Sequence, residues 1–439
     1  MNKEEILQRI EDFRSEQLFE FINTGLVTLE ELRSTGDLPA SKRNAIIKLT
    51  EAKSKEEKDF WNQHQNTEDG CNEYIKAYPY GQFIQKAKSN IEVFRNKIAE
   101  EERTKKETLE LLKKNLNNYT PNEILGLLQK GTILREDLLK IGIPNEVIES
   151  LGNIETPRLN LGKTPDSIPE GYTEVYFWGI PGSGKTCVLS ALLSTAHKNN
   201  SLEIAVGPGY DYTNRLRNIF INPISFLPAG TTTDSTQYLP FTIRKGDEDP
   251  RSVSLIELSG EIFKCFYSIN ANLELDPDYQ KTLNSLLNFL NSDNRKIHFF
   301  FIDFENKNRQ DGKGYTQANY LEAAATYFQN NDIFRKHTDA IYIIITKSDL
   351  MACDKAERKN HLKEYLQNAN FNSFVSSLRN RCREHSINSG KILGTHFSLG
   401  TVYFNEICSF DPETSENLID ILLRRIKPNK KSILDIFNK

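Results

Sequence analysis

Gly179-Ile180-Pro181-Gly182-Ser183-Gly184-Lys185-Thr186 is the stretch on which the reading of the fold turns. It fits G-x-x-x-x-G-K-[ST], the phosphate-binding loop that joins a strand to a helix. The apolar, β-prone Glu174-Val175-Tyr176-Phe177-Trp178 precedes it, and Cys187-Val188-Leu189-Ser190-Ala191-Leu192-Leu193 follows it in the pattern of first helical turns. Glycines let backbone N–H groups close on phosphate oxygens where a Cβ would clash. The helix that follows points its positive dipole end at the same anion. The expected phosphate-binding set is therefore Gly179, Pro181, Gly182, Ser183, Gly184, Lys185, Thr186 and Cys187. Lys185 is expected on the β- and γ-phosphates as the catalytic cation, and the Thr186 hydroxyl on Mg²⁺.

Outward from this loop, strand and helix patterns alternate from residue 173 onward, which predicts an α/β P-loop domain over 173–439 with a mostly parallel sheet. Residues 237–244 and 252–258 read as an antiparallel hairpin about the turn 246–250, with Pro240 predicting a sheet-edge position. A helical region near 261–291, a strand 297–304, a helix 315–336, a strand 340–346 and a helix 354–385 follow. A strand near 391–397, an apolar piece 399–404 and a closing helix 413–426 complete the domain.

Three further stretches carry chemistry. Thr346-Lys347-Ser348-Asp349 closes the strand AIYIII and matches [NT]-K-x-D, the guanine-reading motif of GTPases. An aspartate accepts hydrogen bonds from N1–H and the N2 amine of guanine, a pair adenine does not offer. A site built for those bonds leaves a charge unpaired with the wrong base, a discrimination on the order of 10⁴. Lys347 is expected over the base and Thr346 as the tie back to the phosphate loop. Glu257-Leu258-Ser259-Gly260 stands in the place of D-x-x-G, with Glu257 expected on the metal side and the Gly260 N–H on the γ-phosphate. Glu261 follows as the group that would orient water, although its charge would repel that phosphate. Among Gly230-Thr231-Thr232-Thr233, Thr232 is the expected switch residue on Mg²⁺. Ser398-Leu399-Gly400 is the candidate loop whose backbone, through Ser398 and Leu399, meets the guanine carbonyl.

Residues 1–152 read as all-helical, with Pro and Gly sparse and Leu, Ile, Lys and Glu at helical spacing. Phe21-Ile22-Asn23-Thr24-Gly25, Leu29-Glu30-Glu31-Leu32 and Gly36 are matched by Leu127-Leu128-Gln129-Lys130-Gly131, Arg135-Glu136-Asp137-Leu138 and Gly142. The equal glycine spacing predicts a duplicated helical module, about 15–50 and 120–152. Between the copies, a Pro-x-Gly break at 79–81 separates long polar helices, and 94–116 reads as a solvated arm. The aromatics Trp61, Tyr74, Tyr78, Tyr80 and Phe83 are expected to pack. Residues 153–172, with three prolines and two glycines, read as an interdomain linker.

A net charge of −4 offers no electrostatic case for nucleic acid or an anionic membrane as principal partner. The charged N-terminus predicts no signal peptide, and no apolar run reaches a membrane span. Six scattered cysteines without a C-x-x-C pair fit a reducing cytoplasm and argue against a disulfide framework or zinc. The tail 427–439, with four lysines among apolar residues, reads as a solvated tail or short terminal helix.

The order of these motifs over about 173–426 resembles the Ras-like GTPase fold of the translation-factor-related class. Among such proteins it is most similar to large bacterial GTPases of conflict and defence systems, in which Ser-Gly-Glu opens the second switch. The resemblance implies GTP/GDP and Mg²⁺ binding, slow hydrolysis and loops that order around the γ-phosphate. The chain is thus expected to act as a nucleotide-dependent switch, with the N-terminal helices, which the resemblance does not cover, expected as the arm for a protein partner. Glu257 for the usual Asp and Glu261 for the usual Gln put catalysis in question more than binding, and an insertion is expected near 262–296. Two other readings stand beside it. In the first, His298–Glu305 is the Walker B strand of an ATPase, with Asp303 on Mg²⁺ and Glu305 as base. In the second, the chain is a scaffold that holds nucleotide without turning it over.

Overall fold

The computed structural model describes residues 2–153 and 165–426, apart from 166, 230–235, 276, 307, 335–336, 355 and 368. The contacts divide the chain into two compact units, Met1–Leu111 and Leu112–Lys439. The sequence places the boundary at 153–172, most of which lies outside the described residues.

The first unit is helical: α1 (Lys3–Gln8), α2 (Ser15–Asn23), α3 (Leu29–Ser34), α4 (Ala40–His64), α5 (Glu68–Ala77) and the long α6 (Ile84–Lys114), which runs past the division. Two small cores hold it, one around Leu18, Val27, Leu32 and Ile46 and one around Trp61, Cys71, Tyr74 and Ala87. Trp61 stacks on Phe83 at 5.5 Å. Tyr80 departs from the packing expectation: it sits in the Pro-x-Gly turn and is 75% exposed.

The second unit opens with α7 (Pro121–Gln129), α8 (Arg135–Lys140) and α9 (Asn145–Ser150). This trio and α2–α4 share a succession of helix, left-handed glycine, helix, left-handed glycine, helix. Gly25, Gly36, Gly131 and Gly142 have φ of 74°, 78°, 70° and 91°, a conformation that ends a helix at little cost only for glycine. Equivalent positions are buried in both trios: Leu18 and Ile124, Val27 and Ile133, Leu32 and Leu138, Leu38 and Ile143, Ile46 and Leu151.

The rest of the unit is α/β. In order come β1 (Thr173–Trp178), α10 (Lys185–Lys198), β2 (Leu202–Ile204), α11 (Tyr210–Arg217), β3 (Ile224–Phe226), β4 (Gln237–Ile243) and β5 (Arg251–Glu257). Next are α12 (Ile262–Asn270), α13 (Pro277–Leu290), β6 (Arg295–Asp303), α14 (Gln317–Asn330) and β7 (Thr338–Thr346). The last are α15 (Arg358–Gln367), α16 (Ala369–Glu384), β8 (Leu393–His396), β9 (Gly400–Tyr403), β10 (Ile407–Phe410) and α17 (Glu413–Arg425). Seven strands form one sheet in the order β2-β4-β5-β1-β6-β7-β8, and only β4 runs against the others. A small antiparallel sheet, β3-β10-β9, stands apart. Alternate residues of β1 enter opposite cores, Tyr176 and Trp178 on one face and Val175 and Phe177 on the other, as the two-residue period of a strand requires. Both faces are covered, which is why the central strands read as continuous apolar runs.

The loops that follow β1, β5, β6, β7 and β8 all leave the sheet at one edge, where ligands of open α/β sheets bind. Several details differ from the sequence reading. Each of the two long helical predictions, 261–291 and 354–385, is a pair of helices. The strands β2, β3 and β10 and the helix α11 had no legible signal. β4 is not the edge strand, because three-residue β2 flanks it. Pro240 is tolerated there because the stretch of β4 paired with β2 begins only at Phe241, and the Pro240 carbonyl on that side still accepts from Ala205 N at 3.1 Å.

Candidate functional site

At the carboxyl end of β1 the phosphate loop turns into α10 at Gly184, whose φ is 83°. Lys185 is 5% exposed, and its ammonium donates to the carbonyls of Gly179 (2.7 Å) and Ile180 (3.1 Å) of its own loop. Burial pulls its pKa down to about 8 against the opposing pull of Glu257 and Glu261. A cavity of about 290 Å³ lies against the loop, walled by Pro181 to Cys187 and by Ser259, Gly260 and Glu261.

Glu257 ends β5 beside this loop and is 1% exposed. Both of its oxygens are engaged: Oε1 accepts from the Thr186 hydroxyl, and Oε2 from the Tyr212 hydroxyl of α11 at 2.7 Å. Burial raises its carboxyl, while Thr186, Tyr212 and Lys185 pull it back. At Gly260 a Cβ would stand 2.1 Å from the backbone nitrogen of Pro181, so only glycine lets this strand end lie on the phosphate loop. Glu261 is ion-paired with Lys264 at 2.6 Å. Thr232 and its neighbouring threonines lie outside the described residues.

The end of β7 reaches the same loop. The Thr346 hydroxyl is shared between the carbonyls of Ser183 (2.9 Å) and Ile302 (3.2 Å). Lys347 is left-handed, with φ 55°, and its ammonium donates to Asp303 (3.0 Å) and Glu305 (2.7 Å). Burial would lower its pKa, but the two carboxylates outweigh burial and raise it. Asp349 Oδ1 accepts from the Ser398 hydroxyl at 2.8 Å. Ser398 is itself held by Thr414, whose hydroxyl donates to the Ser398 carbonyl at 2.6 Å. A cavity of about 570 Å³ gathers Gly184, Cys187, Thr346, Lys347, Asp349, Ser398 and Leu399, residues spread over more than two hundred positions of the chain. Its size is that of a small-molecule site. It shares Gly184 and Cys187 with the cavity on the phosphate loop.

Asp303 and Glu305 are engaged differently. Asp303 is 1% exposed and caps its own turn, accepting from Glu305 N (3.0 Å) and Asn306 Nδ2 (2.5 Å) as well as from Lys347. The carboxylate that touches Thr186 is Glu257.

Three residues of the site were missed from sequence. Tyr212 lies on a helix with no legible signal. Asn117, far upstream, lines the larger cavity. Arg309 lines a third cavity, of about 240 Å³, together with Gly182, Gly260 and Glu261.

Among the described residues no cluster of three or more His, Cys, Asp or Glu side chains is arranged to hold a metal. The donor set that does exist, one threonine hydroxyl and one buried carboxylate in contact, is hard and oxygen-only. It fits Mg²⁺, which keeps most of its water and takes few protein ligands beside a phosphate. Among the described residues no helix is long and apolar enough to cross a membrane.

No family model and no curated protein matches the chain. Among solved structures it is similar to the nucleolar GTP-binding protein 1 of Plasmodium falciparum, at 14% identity over 58% of this chain and 89% of that one, with a TM-score of 0.27. It is also similar to a signal recognition particle receptor complex, SRb-GTP/SRX, of Chaetomium thermophilum, at 15% identity over 52% and 94%, with a TM-score of 0.26. Likeness of that size carries no weight for fold or function, which rest on the geometry above.

Proposed function

We propose that this chain binds a guanine nucleotide with Mg²⁺ along the carboxyl edge of its sheet and acts as a slow GTPase switch. The observation that carries the reading is one juxtaposition. Asp349, positioned by Ser398, lines a cavity that continues through Gly184 and Cys187 onto the loop bearing Lys185 and Thr186. Base reader and phosphate grip are thereby set end to end.

In this reading the loop N–H groups and Lys185 hold the β- and γ-phosphates. Thr186 and Glu257 hold Mg²⁺, which when bound supplies positive charge against the phosphate oxygens. Thr232 is assigned the switch role, Gly260 N–H the γ-phosphate, and Asp349 the guanine edge, with the Ser398–Leu399 backbone near its carbonyl. Lys347 leaves Asp303 and Glu305 to lie over the base. Glu261, drawn toward Lys264, is poorly placed to activate water, which supports slow turnover. The ATPase reading is disfavoured because Asp303 is committed to its own turn, while the carboxylate that meets Thr186 is Glu257. The long helix α6 exposes Val93, Ile98 and Leu111, which supports the use of the first unit as a partner-binding arm.

A thermal-shift comparison of GTP, GDP, ATP and ADP, each with Mg²⁺, tests the proposal. Guanine nucleotides at a hundredfold excess over their dissociation constant are expected to stabilise by about 2.7 kcal/mol. Lys185→Ala is expected to abolish that shift, and Asp349→Asn to weaken GDP and admit the xanthine nucleotide. Stabilisation by adenine nucleotides alone, or unchanged base preference in Asp349→Asn, refutes the base assignment.

A further inference from the structure

The larger cavity has a wall that comes from the helical part of the second unit. Asn117 lies in the short helical turn Leu116–Asn118 between α6 and α7, and its N–H is fixed by the Asn115 side chain at 3.0 Å. Its Oδ1 accepts from Asn405 N at 3.0 Å, and its carbonyl accepts from Asn405 Nδ2. Asn405 is the second central residue of the turn 403–406, within the three-residue connection 404–406 that joins β9 to β10, and the turn is closed by Glu406 N on the Tyr403 carbonyl at 3.2 Å. Both turn residues are left-handed, Phe404 at φ 55° and Asn405 at φ 60°. That is the twist a tight hairpin needs, but it is sparsely populated for phenylalanine, and Phe404 is also fully buried. Such a conformation persists only where its surroundings over-determine it, and Asn117 supplies two of the bonds that do so. From this turn β9 runs back to Gly400, whose N–H donates to Ser398 Oγ at 3.0 Å, the same hydroxyl that donates to Asp349. On the other side Leu227, at the end of β3, donates its N–H to the Glu406 carbonyl at 2.8 Å, and α9 packs beside β3.

We propose that Asn117 is a positioning residue of the base pocket, acting through the Phe404–Asn405 turn and Ser398 on Asp349, so that guanine binding and docking of the 115–151 helical segment are thermodynamically linked. This rests on the guanine reading above. Linkage is reciprocal: whatever docking does for affinity, bound nucleotide does for docking.

The experiment uses the full chain. The affinity of a fluorescent GDP analogue is measured for wild type, Asn117→Ala and Asn405→Gly. The second variant keeps a residue at ease with positive φ while deleting the Nδ2 bond, so it remains informative if the first does not fold. Amide exchange of 116–151 is followed with and without GDP. Both variants are expected to bind up to about tenfold more weakly, the scale of the one hydrogen bond that each deletes. Added GDP is expected to slow exchange across 116–151 in wild type and not in the variants. A merely structural role for Asn117 would leave that GDP-dependent difference intact. Wild-type affinity in the variants, or exchange across 116–151 indifferent to GDP, overturns the linkage and leaves the nucleotide reading standing. A wild-type protein that binds no guanine nucleotide overturns both.

Discussion

Glu257 is one methylene longer than the aspartate that the family resemblance implies at its position. The extra length is accommodated by a second hydroxyl. One oxygen rests on Thr186, and the other is held by Tyr212, itself almost fully buried. A buried carboxylate in this position needs every acceptor site filled, because an unpaired buried charge is costly. Tyr212 therefore fixes the carboxylate whose other oxygen meets Thr186. Tyr212→Phe removes one hydrogen bond to a charged group, worth about 1.5–3 kcal/mol. The Mg²⁺ concentration that half-restores tight nucleotide binding is expected to rise about tenfold, with affinity in excess chelator unchanged. An unaltered Mg²⁺ titration would take Tyr212 out of this role.

Among elements, the helical trio α7–α9 shows how glycine position decides sign. Gly126 lies inside α7 and Gly131 just past its end at φ 70°, and an added Cβ would meet nothing within 4 Å at either. Local backbone preference alone then sets the outcome. Gly126→Ala is expected to stabilise by about 0.5–1 kcal/mol, since glycine loses more conformational entropy in a helix interior than alanine. Gly131→Ala is expected to destabilise by about 1 kcal/mol, since alanine resists the left-handed conformation. Thermal unfolding of the two variants should move in opposite directions. A common direction would mean that the helix ends elsewhere.

For the whole molecule, the division at Leu111/Leu112 places the second helical trio in the same unit as the glycine loop 179–186. Leu112, Ile124, Leu138 and Val147 are all fully buried. A fragment beginning at Leu112 is expected to unfold cooperatively and to keep its stabilisation by guanine nucleotide. A fragment beginning at residue 153 is expected to bind at least tenfold more weakly and to be less stable, having lost apolar burial of about 25 cal/mol per Å² together with the Asn117 contact. Thermal melts of the two fragments with and without GDP decide this. Equal nucleotide stabilisation in both would return the trio to a separate domain.

The sequence alone determined whatever depends on short-range pattern. The strand, glycine loop and helix at 174–193 declare themselves because φ/ψ preference and two- or 3.6-residue periodicity act over a few residues, and the repeated glycine spacing is legible for the same reason. Motif order along the chain was enough to nominate Glu257, Gly260, Asp349 and Ser398. Short strands such as β2, β3 and β10 were not legible, because three or four residues carry too little periodicity to outweigh their turns. Only tertiary structure decided that Lys347 rests on Asp303 and Glu305, that Asp303 caps its own turn while Glu257 meets Thr186, that Tyr212 reaches Glu257 and that Asn117 lines the larger cavity. Those facts depend on which residues meet across a twisted sheet, and a hydrogen bond between positions 117 and 405 leaves no periodic trace along the chain that joins them.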